Sequence, residues 1–198
     1  SVIILAYVLN HTKEWMLANP GYILTAEENS RLENVIDRRL HHEPLAYIIG
    51  KWWFYNREFL VSPDVLIPRP ATEEIVRVAV AWLNKNPDAE VVDIGTGSGC
   101  IAITLALEIN NKYITAVDTS LTALAVAKEN ATLHSVIHKI LFTPHYPSIP
   151  QPLNHSITQS LIVANLPYIP SAAINNLSPD IKNFEPHTAL DGGADGLE

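Results

Sequence analysis

Val91-Val92-Asp93-Ile94-Gly95-Thr96-Gly97-Ser98-Gly99 is the stretch of this sequence that decides the fold. It predicts a buried strand that ends at a glycine loop, and the apolar residues after Gly99 predict a helix. A strand that runs through glycines into a helix is typical of an α/β sheet with a ligand site at the carboxyl ends of its strands. The stretch therefore predicts both the type of sheet and the place of a site.

Strand and helix patterns alternate around this stretch, and residues 65–198 are expected to form one α/β domain. The predicted strands cover residues 90–94, 113–117, 137–142 and 160–164. The predicted helices cover residues 99–109 and 121–133. Such alternation indicates a mostly parallel sheet with right-handed crossovers. A loop containing Pro144, Pro147, Pro150 and Pro152 is expected before the last strand.

The first part of the chain predicts different structure. Residues 1–49 have apolar side chains at helical spacing, and Thr25-Ala26-Glu27-Glu28 matches a capping box, so a small helical domain is expected. Residues 50–64 are rich in aromatic and β-branched side chains, which predicts a β-hairpin linker with Asn56-Arg57-Glu58 between its strands. Prolines up to residue 70 disfavour a helix, so the next helix is expected to begin at Thr72 or its neighbour.

The composition limits the classes of protein to which this chain can belong. The 198 residues are 47% hydrophobic, which suffices for a packed core and argues against disorder. The net charge of −8 does not favour binding to a nucleic acid. One cysteine, Cys100, excludes an internal disulfide, is expected to be buried, and suits the cytoplasm. No membrane-length apolar run or signal peptide is visible, so no membrane association is expected, and no metal site is expected either.

The glycine loop predicts a nucleoside site. Its pattern is G-x-G-x-G rather than the G-x-G-x-x-G of dinucleotide binders, which suits a nucleoside that carries a carboxylate and no pyrophosphate. Asp118 ends the next predicted strand, 19 residues beyond Gly99, where a carboxylate can accept both hydroxyls of a ribose. Two structural explanations stay open: a tight turn without ligand for the glycines, and a helix cap for Asp118.

Ile162-Val163-Ala164-Asn165-Leu166-Pro167-Tyr168-Ile169-Pro170 predicts a second centre, because a buried strand stops there at an amide side chain and a stiff turn. The Asn165 amide and the carbonyls fixed by Pro167 can hold an –NH₂ group, and Tyr168 can cover its flat face. This arrangement suits methyl transfer to an amide or an exocyclic amine nitrogen, with positioning as the main source of rate. The alternative is a structural turn started by Asn165.

These residues resemble the HemK/PrmC family of protein-(glutamine-N5) methyltransferases, which modify the Gly-Gly-Gln motif of peptide chain release factors. The resemblance runs through the segments already quoted, and further matching segments extend it over essentially the whole chain. These further segments are residues 14–17, 43–50, 59–61, 66–73 and 189–193, together with Phe54. The glycine loop alone marks only class I methyltransferases, whereas Leu66-Ile67-Pro68-Arg69-Pro70-Ala71-Thr72-Glu73 is much more specific.

The resemblance implies a class I, Rossmann-like methyltransferase preceded by the helical domain, with S-adenosylmethionine as methyl donor and S-adenosylhomocysteine as product. Gly95, Thr96, Gly97, Ser98, Gly99, Asp118, His145 and Asn165 would bind the cofactor. Asn165, Leu166, Pro167 and Tyr168 would bind the substrate glutamine, and the first, third and fourth of these would be catalytic. A release factor would be the partner, residues 1–49 would help to dock it, and the enzyme would be a cytoplasmic monomer.

The sequence departs from the family pattern at three places. Leu166 replaces the first proline of the usual Asn-Pro-Pro-Tyr, and Asn-Leu-Pro-Tyr is also the form found in rRNA adenine dimethyltransferases. Pro144 and His145 stand where the family has an Asp and an aromatic residue near the adenine. Family members continue for several more strands, so a chain shortened at its C-terminus is expected. An rRNA adenine-N6 methyltransferase, a ribosomal-protein glutamine methyltransferase and a non-catalytic binding protein of the same fold remain alternatives.

Overall fold

The computed structural model describes residues 2–110, 112–145 and 159–197. The chain divides into two compact units, Ser1–Ile49 and Gly50–Glu198. Most of the expected proline-rich loop, with Pro147, Pro150 and Pro152, lies outside the described residues.

The first unit is helical. Its helices are α1 (Val2–Leu9), α2 (Lys13–Ala18), α3 (Ala26–Leu40) and α4 (Leu45–Ile49). Val8, Leu9, Val35 and Ile48 are buried together as its core. The predicted capping box is confirmed, because the Thr25 hydroxyl accepts from the Glu28 N–H at 3.2 Å and the Glu28 carboxylate accepts from the Thr25 N–H at 2.8 Å.

The second unit begins with the predicted hairpin, formed by β1 (Lys51–Phe54) and β2 (Arg57–Leu60). The prediction of its turn at Asn56-Arg57-Glu58 is wrong. The turn is the two-residue loop Tyr55-Asn56, with φ of 50° and 60°, and Arg57 and Glu58 already pair with β1. Two left-handed residues match the twist of the flanking strands, and this shortest loop leaves more of the ladder paired.

Polar side chains tie the hairpin to the rest of its unit. The Glu73 carboxylate accepts from the Tyr55 N–H at 2.9 Å, and the His134 ring donates to the Glu58 carbonyl at 2.8 Å. Arg57 forms an ion pair with Glu108. These contacts attach the turn and the first two residues of β2 to the helices around the sheet.

The main sheet has four described strands, β3 (Glu90–Ile94), β4 (Ile114–Val117), β5 (Ile140–Thr143) and β6 (Ser160–Ala164). They are parallel, in the order β5–β4–β3–β6, so the prediction of a parallel α/β sheet is confirmed. The chain moves outward from β3 to β5 and then returns to the other side of β3. A crevice opens where the strand order reverses in this way, beyond the carboxyl ends of the strands.

Helices α5 (Glu73–Leu83), α6 (Cys100–Glu108) and α7 (Leu121–Leu133) accompany the sheet. Helix α5 begins next to Thr72, as predicted, after a 3₁₀ turn over Pro70–Thr72. The predicted strand 137–142 begins too early, because Ile137–Lys139 form a 3₁₀ turn in which the Lys139 N–H donates to the Val136 carbonyl. Pairing with β4 starts only at Ile140, opposite Ile114.

The segment after β6 returns to the end of that strand. It contains the short helices α8 (Ser171–Ile174) and α9 (Pro179–Lys182). The Ile169 N–H then donates to the Leu190 carbonyl at 3.1 Å, and the Gly192 N–H donates to the Ile169 carbonyl at 2.9 Å. Residues 190–196 therefore lie against the turn that follows β6. Across the described ranges, no helix is both long and apolar enough to cross a membrane.

Candidate functional site

A cavity of about 290 Å³ lies at the carboxyl ends of β3, β4 and β6. The predicted glycine loop, the end of β4 and the turn after β6 all contribute to its wall. The segments 64–72 and 186–189 close its remaining side. From the predicted site, Gly95, Thr96, Gly97, Ser98, Asp118, Asn165, Leu166 and Pro167 line it. The sheet topology thus brings together two loops that are 66 or more residues apart in the chain.

The glycine loop is left-handed at Gly95, Gly97 and Gly99, with φ of 71°, 53° and 80°. A Cβ on Gly99 would lie 2.8 Å from the Ile103 Cδ1 atom and 3.2 Å from the Ala127 Cβ atom, so only glycine fits between α6 and α7. Gly99 makes the strand-to-helix turn without lining the cavity, whereas the other loop residues face it.

Asp118 braces this loop. Its carboxylate accepts from the Gly97 N–H at 2.8 Å and from the Ser120 N–H at 2.9 Å. Ser120, not Asp118, caps α7, because the Ser120 hydroxyl accepts from the Ala123 N–H at 3.1 Å. A carboxylate has about four lone-pair sites, so Asp118 keeps acceptor capacity toward the cavity.

Asp93 supports the glycine loop from the preceding strand, a role that its place in the deciding stretch did not indicate. It is fully buried, and one carboxylate oxygen accepts from the Thr96 hydroxyl at 2.7 Å and from the Ala102 N–H at 3.2 Å. It therefore caps the start of α6 from the preceding strand. Burial raises the pKa of Asp93 to about 6, against the opposing effect of these two hydrogen bonds.

The raised pKa of Asp93 makes stability depend on pH. The folded chain keeps this proton up to about pH 6, whereas an unfolded aspartate loses it near 3.8, so the free energy of unfolding falls as pH rises between these values. We expect Asp93→Asn to remove this slope. Relative to wild type, the variant should gain roughly 2 kcal/mol between about pH 4 and about pH 7. Urea unfolding of both proteins at the two pH values measures the difference.

Asp88→Asn is the matched control, because it makes the same change on an exposed side chain. Parallel stability curves for wild type and Asp93→Asn would contradict the prediction.

Cys100 is buried, as the sequence predicts. It opens α6, and burial raises the pKa of its thiol to about 12, so it is not a reactive thiolate at neutral pH. In the parts of the chain that the structure describes, no group of three or more His, Cys, Asp or Glu side chains could hold a metal ion.

Asn165 and Leu166 lie between two cavities. The second cavity, of about 370 Å³, also adjoins the turn after β6. Its wall is mostly apolar, with contributions from Leu66, Ile75, Ile169, Leu177, Ile181 and Leu190. Tyr168 lines only this second cavity and is 71% exposed. The predicted substrate residues are thus divided: Pro167 faces the first cavity, Tyr168 the second, and Asn165 both.

The segment 66–72 also borders both cavities, and a buried carboxylate holds it. Glu185, whose side chain is 2% exposed, forms an ion pair with Arg69 and accepts from the Ile67 N–H at 3.3 Å. Burial raises the pKa of Glu185, although Arg69 opposes this shift. Arg69 belongs to a family segment, but nothing in the sequence indicates its partner 116 residues later.

His145 is not brought to the first cavity. It is exposed beyond the end of β5, and the Thr143 hydroxyl donates to its carbonyl at 2.9 Å. Its predicted contact with a cofactor stays a prediction.

Comparison with known proteins gives the two units separate matches. Residues 1–50 match the PrmC N-terminal domain family, and residues 73–190 match the ribosomal protein L11 methyltransferase (PrmA) family. A release factor glutamine methyltransferase from Koribacter versatilis is 38% identical over 99% of this chain and 69% of its own length. The chain belongs to the family of release factor glutamine methyltransferases.

A second member of this family, from Bacillus anthracis, is 39% identical over 99% of this chain and 69% of its own length. In solved structures, the catalytic domain of human METTL16 in complex with an RNA hairpin has a TM-score of 0.50 at 16% identity, covering 83% of this chain and 68% of that one. This likeness concerns the fold alone. Family membership makes the chain a methyltransferase and confirms the predicted resemblance.

Proposed function

We propose that this protein transfers a methyl group from S-adenosylmethionine to the side-chain amide nitrogen of the glutamine in the Gly-Gly-Gln motif of a peptide chain release factor. The observation that carries the proposal is the place of Asn165, in the wall shared by two cavities. One cavity adjoins the glycine loop, and the other is open to a polypeptide. A methyl donor in one cavity and its acceptor in the other could therefore both reach Asn165.

The first cavity fits the cofactor. Its wall carries the Asp118 carboxylate, which keeps acceptor capacity, beside the glycine loop, and this combination suits a polar ligand. A Cβ on Gly95 would lie 3.0 Å from the Leu166 Cδ2 atom, so the glycine leaves space where the two loops meet. Residues 95–98 would hold the methionine and ribose portion, and Asp118 would accept the ribose hydroxyls. When bound, S-adenosylmethionine supplies an electrophilic methyl group.

Asn165 would hold the target amide. Its side-chain oxygen and the carbonyl groups fixed by Pro167 can accept the two N–H groups of a glutamine amide. These acceptors would stabilise the positive charge that develops on the nitrogen as it takes the methyl group, and the proton that it releases would pass to solvent. Because the lone pair of an amide nitrogen is delocalised, alignment of the reactants is expected to supply most of the rate.

The second cavity would receive the polypeptide around the glutamine. Its apolar wall and the exposed ring of Tyr168 suit a protein segment. The helical unit would add a separate docking surface, a role supported by its match to the PrmC N-terminal domain family and by relatives that act on release factors.

The proposal predicts that full-length protein incubated with methyl-labelled S-adenosylmethionine and a release factor adds one methyl group to the Gly-Gly-Gln glutamine. Tandem mass spectrometry of the release factor locates the label. A release factor with the motif glutamine changed to alanine is the matched control and should stay unlabelled.

Two parallel reactions test the alternatives. Label on ribosomal RNA with an unlabelled release factor would contradict the proposal in favour of an adenine substrate. Label on ribosomal protein L11 alone would favour the alternative of a ribosomal-protein methyltransferase, which the family match over residues 73–190 supports.

A further inference from the structure

A buried amide joins the hairpin to the glycine loop. Asn130 lies on α7 and is fully buried. Its Nδ2 group donates to the Leu60 carbonyl at 2.9 Å and to the Ser98 carbonyl at 2.9 Å. Its Oδ1 atom accepts from the Leu60 N–H at 2.6 Å. Three backbone groups, on two segments far apart in the chain, thus meet one side chain.

This arrangement uses both donors of the amide. One N–H is needed by the hairpin and the other by the loop, so the side chain cannot turn without breaking a buried hydrogen bond. An apolar residue of the same size would leave these backbone groups unpaired, which is costly in a buried place. Asn130 therefore satisfies buried backbone groups in addition to occupying space in the core.

The loop is consequently held from two sides. On one side, the Asp118 carboxylate accepts from the Gly97 N–H, and on the other, Asn130 donates to the Ser98 carbonyl. Gly97 and Ser98 are adjacent and both line the first cavity. Of the two braces, Asp118 itself faces the cavity, whereas Asn130 acts from behind the loop.

We infer that Asn130 is a positioning residue for S-adenosylmethionine: by fixing the Ser98 carbonyl, it sets the shape of the loop for the cofactor. The same bonds make the hairpin a support of the cofactor site, because β2 holds the amide in place. The inference rests on the proposed binding of S-adenosylmethionine at residues 95–98.

Asn130→Asp tests the inference with little change in size. It keeps an acceptor for the Leu60 N–H but places an oxygen against the Leu60 and Ser98 carbonyls. Isothermal titration with S-adenosylhomocysteine should show a Kd at least about tenfold higher, which corresponds to about 1.4 kcal/mol. In steady-state assays, KM for S-adenosylmethionine should rise similarly, while kcat at saturating cofactor and KM for the release factor stay within about threefold.

His134→Ala is the matched control. It removes the hydrogen bond from His134, the residue that follows α7, to the Glu58 carbonyl in β2, without touching the loop. It should lower the thermal midpoint yet leave the Kd within about twofold of wild type. An unchanged Kd in Asn130→Asp would overturn the inference, because Asn130 would then have no effect on cofactor binding. An equal rise of the Kd in His134→Ala would also overturn it, because the effect would then follow from any weakening of the contact between the hairpin and the helix.

Two further arms complete the experiment. If Asn130→Asp does not fold by circular dichroism, Asn130→Ser removes the bond to Ser98 without adding a charge and is judged by the same Kd criterion. Wild-type protein that binds no S-adenosylhomocysteine would instead refute the proposed function, which separates that failure from failure of the inference.

Discussion

Asn165→Ala is expected to reduce methyl transfer to the release factor by a factor of about 10²–10³, the range seen when a transition-state hydrogen-bonding group is removed. The variant loses the side-chain amide that would hold the target nitrogen in line with the methyl group. Its Kd for S-adenosylmethionine should stay within about tenfold of wild type, because the glycine loop and Asp118 line the first cavity independently of this side chain. Single-turnover transfer and isothermal titration measure the two effects separately.

Asn176→Ala supplies the control for Asn165→Ala, since it makes the same truncation at an exposed position after α8 that lines neither cavity. It should leave both quantities unchanged. An intact transfer rate in Asn165→Ala would remove Asn165 from the proposed role. A joint collapse of rate and cofactor binding would instead show that Asn165 acts mainly in holding the cofactor.

Gly192→Ala is expected to displace the turn after β6, which carries Asn165. A Cβ on Gly192 would lie 2.9 Å from the Pro167 carbonyl oxygen, from the Tyr168 Cα atom and from the Gly196 carbonyl oxygen. These are backbone atoms, so the turn itself must shift. We expect a loss of about 1–3 kcal/mol in the free energy of unfolding, as for other overpacked sites. Displacement of the turn by about 1 Å should lower the transfer rate about 100-fold.

The control for Gly192→Ala is Gly21→Ala, where a Cβ would meet no atom within 4 Å. It should change neither the rate nor the stability measurably. Urea unfolding and single-turnover transfer with both variants test this pair. Equal rates in Gly192→Ala and wild type would mean that residues 190–196 do not position the substrate turn.

The strands and helices of the sheet were predictable because their signals are local. Glycines end β3, and alternating apolar segments mark the parallel strands, so the order of elements followed from the sequence. The wrong predictions concern element ends, where the preference of a residue for a turn competes with strand pairing. Asn56 favours a turn, yet only the pairing of Arg57 and Glu58 with β1 decides how short that turn is.

The candidate site was predictable only in part, for a similar reason. The glycine loop, Asp118 and the Asn165 turn carry recognisable chemistry and do meet at one edge. Asp93, Asn130 and Glu185 were missed because their significance lies in partners brought close by tertiary packing. Asn130, for example, bonds to Leu60, 70 residues earlier, and lies in a helix whose pattern gives no sign of this contact.

The pairing of β6 with β3 has a consequence for the order in which the molecule forms. It joins Glu90 to Ser160, whereas β3 pairs with β4 over a much shorter stretch of chain. Contacts between distant parts of a chain carry a larger loop-closure cost and form slowly. The glycine loop can therefore take shape early, but Asn165 reaches it only once β6 has docked. The cavity that both loops enclose would therefore be completed only at this late step.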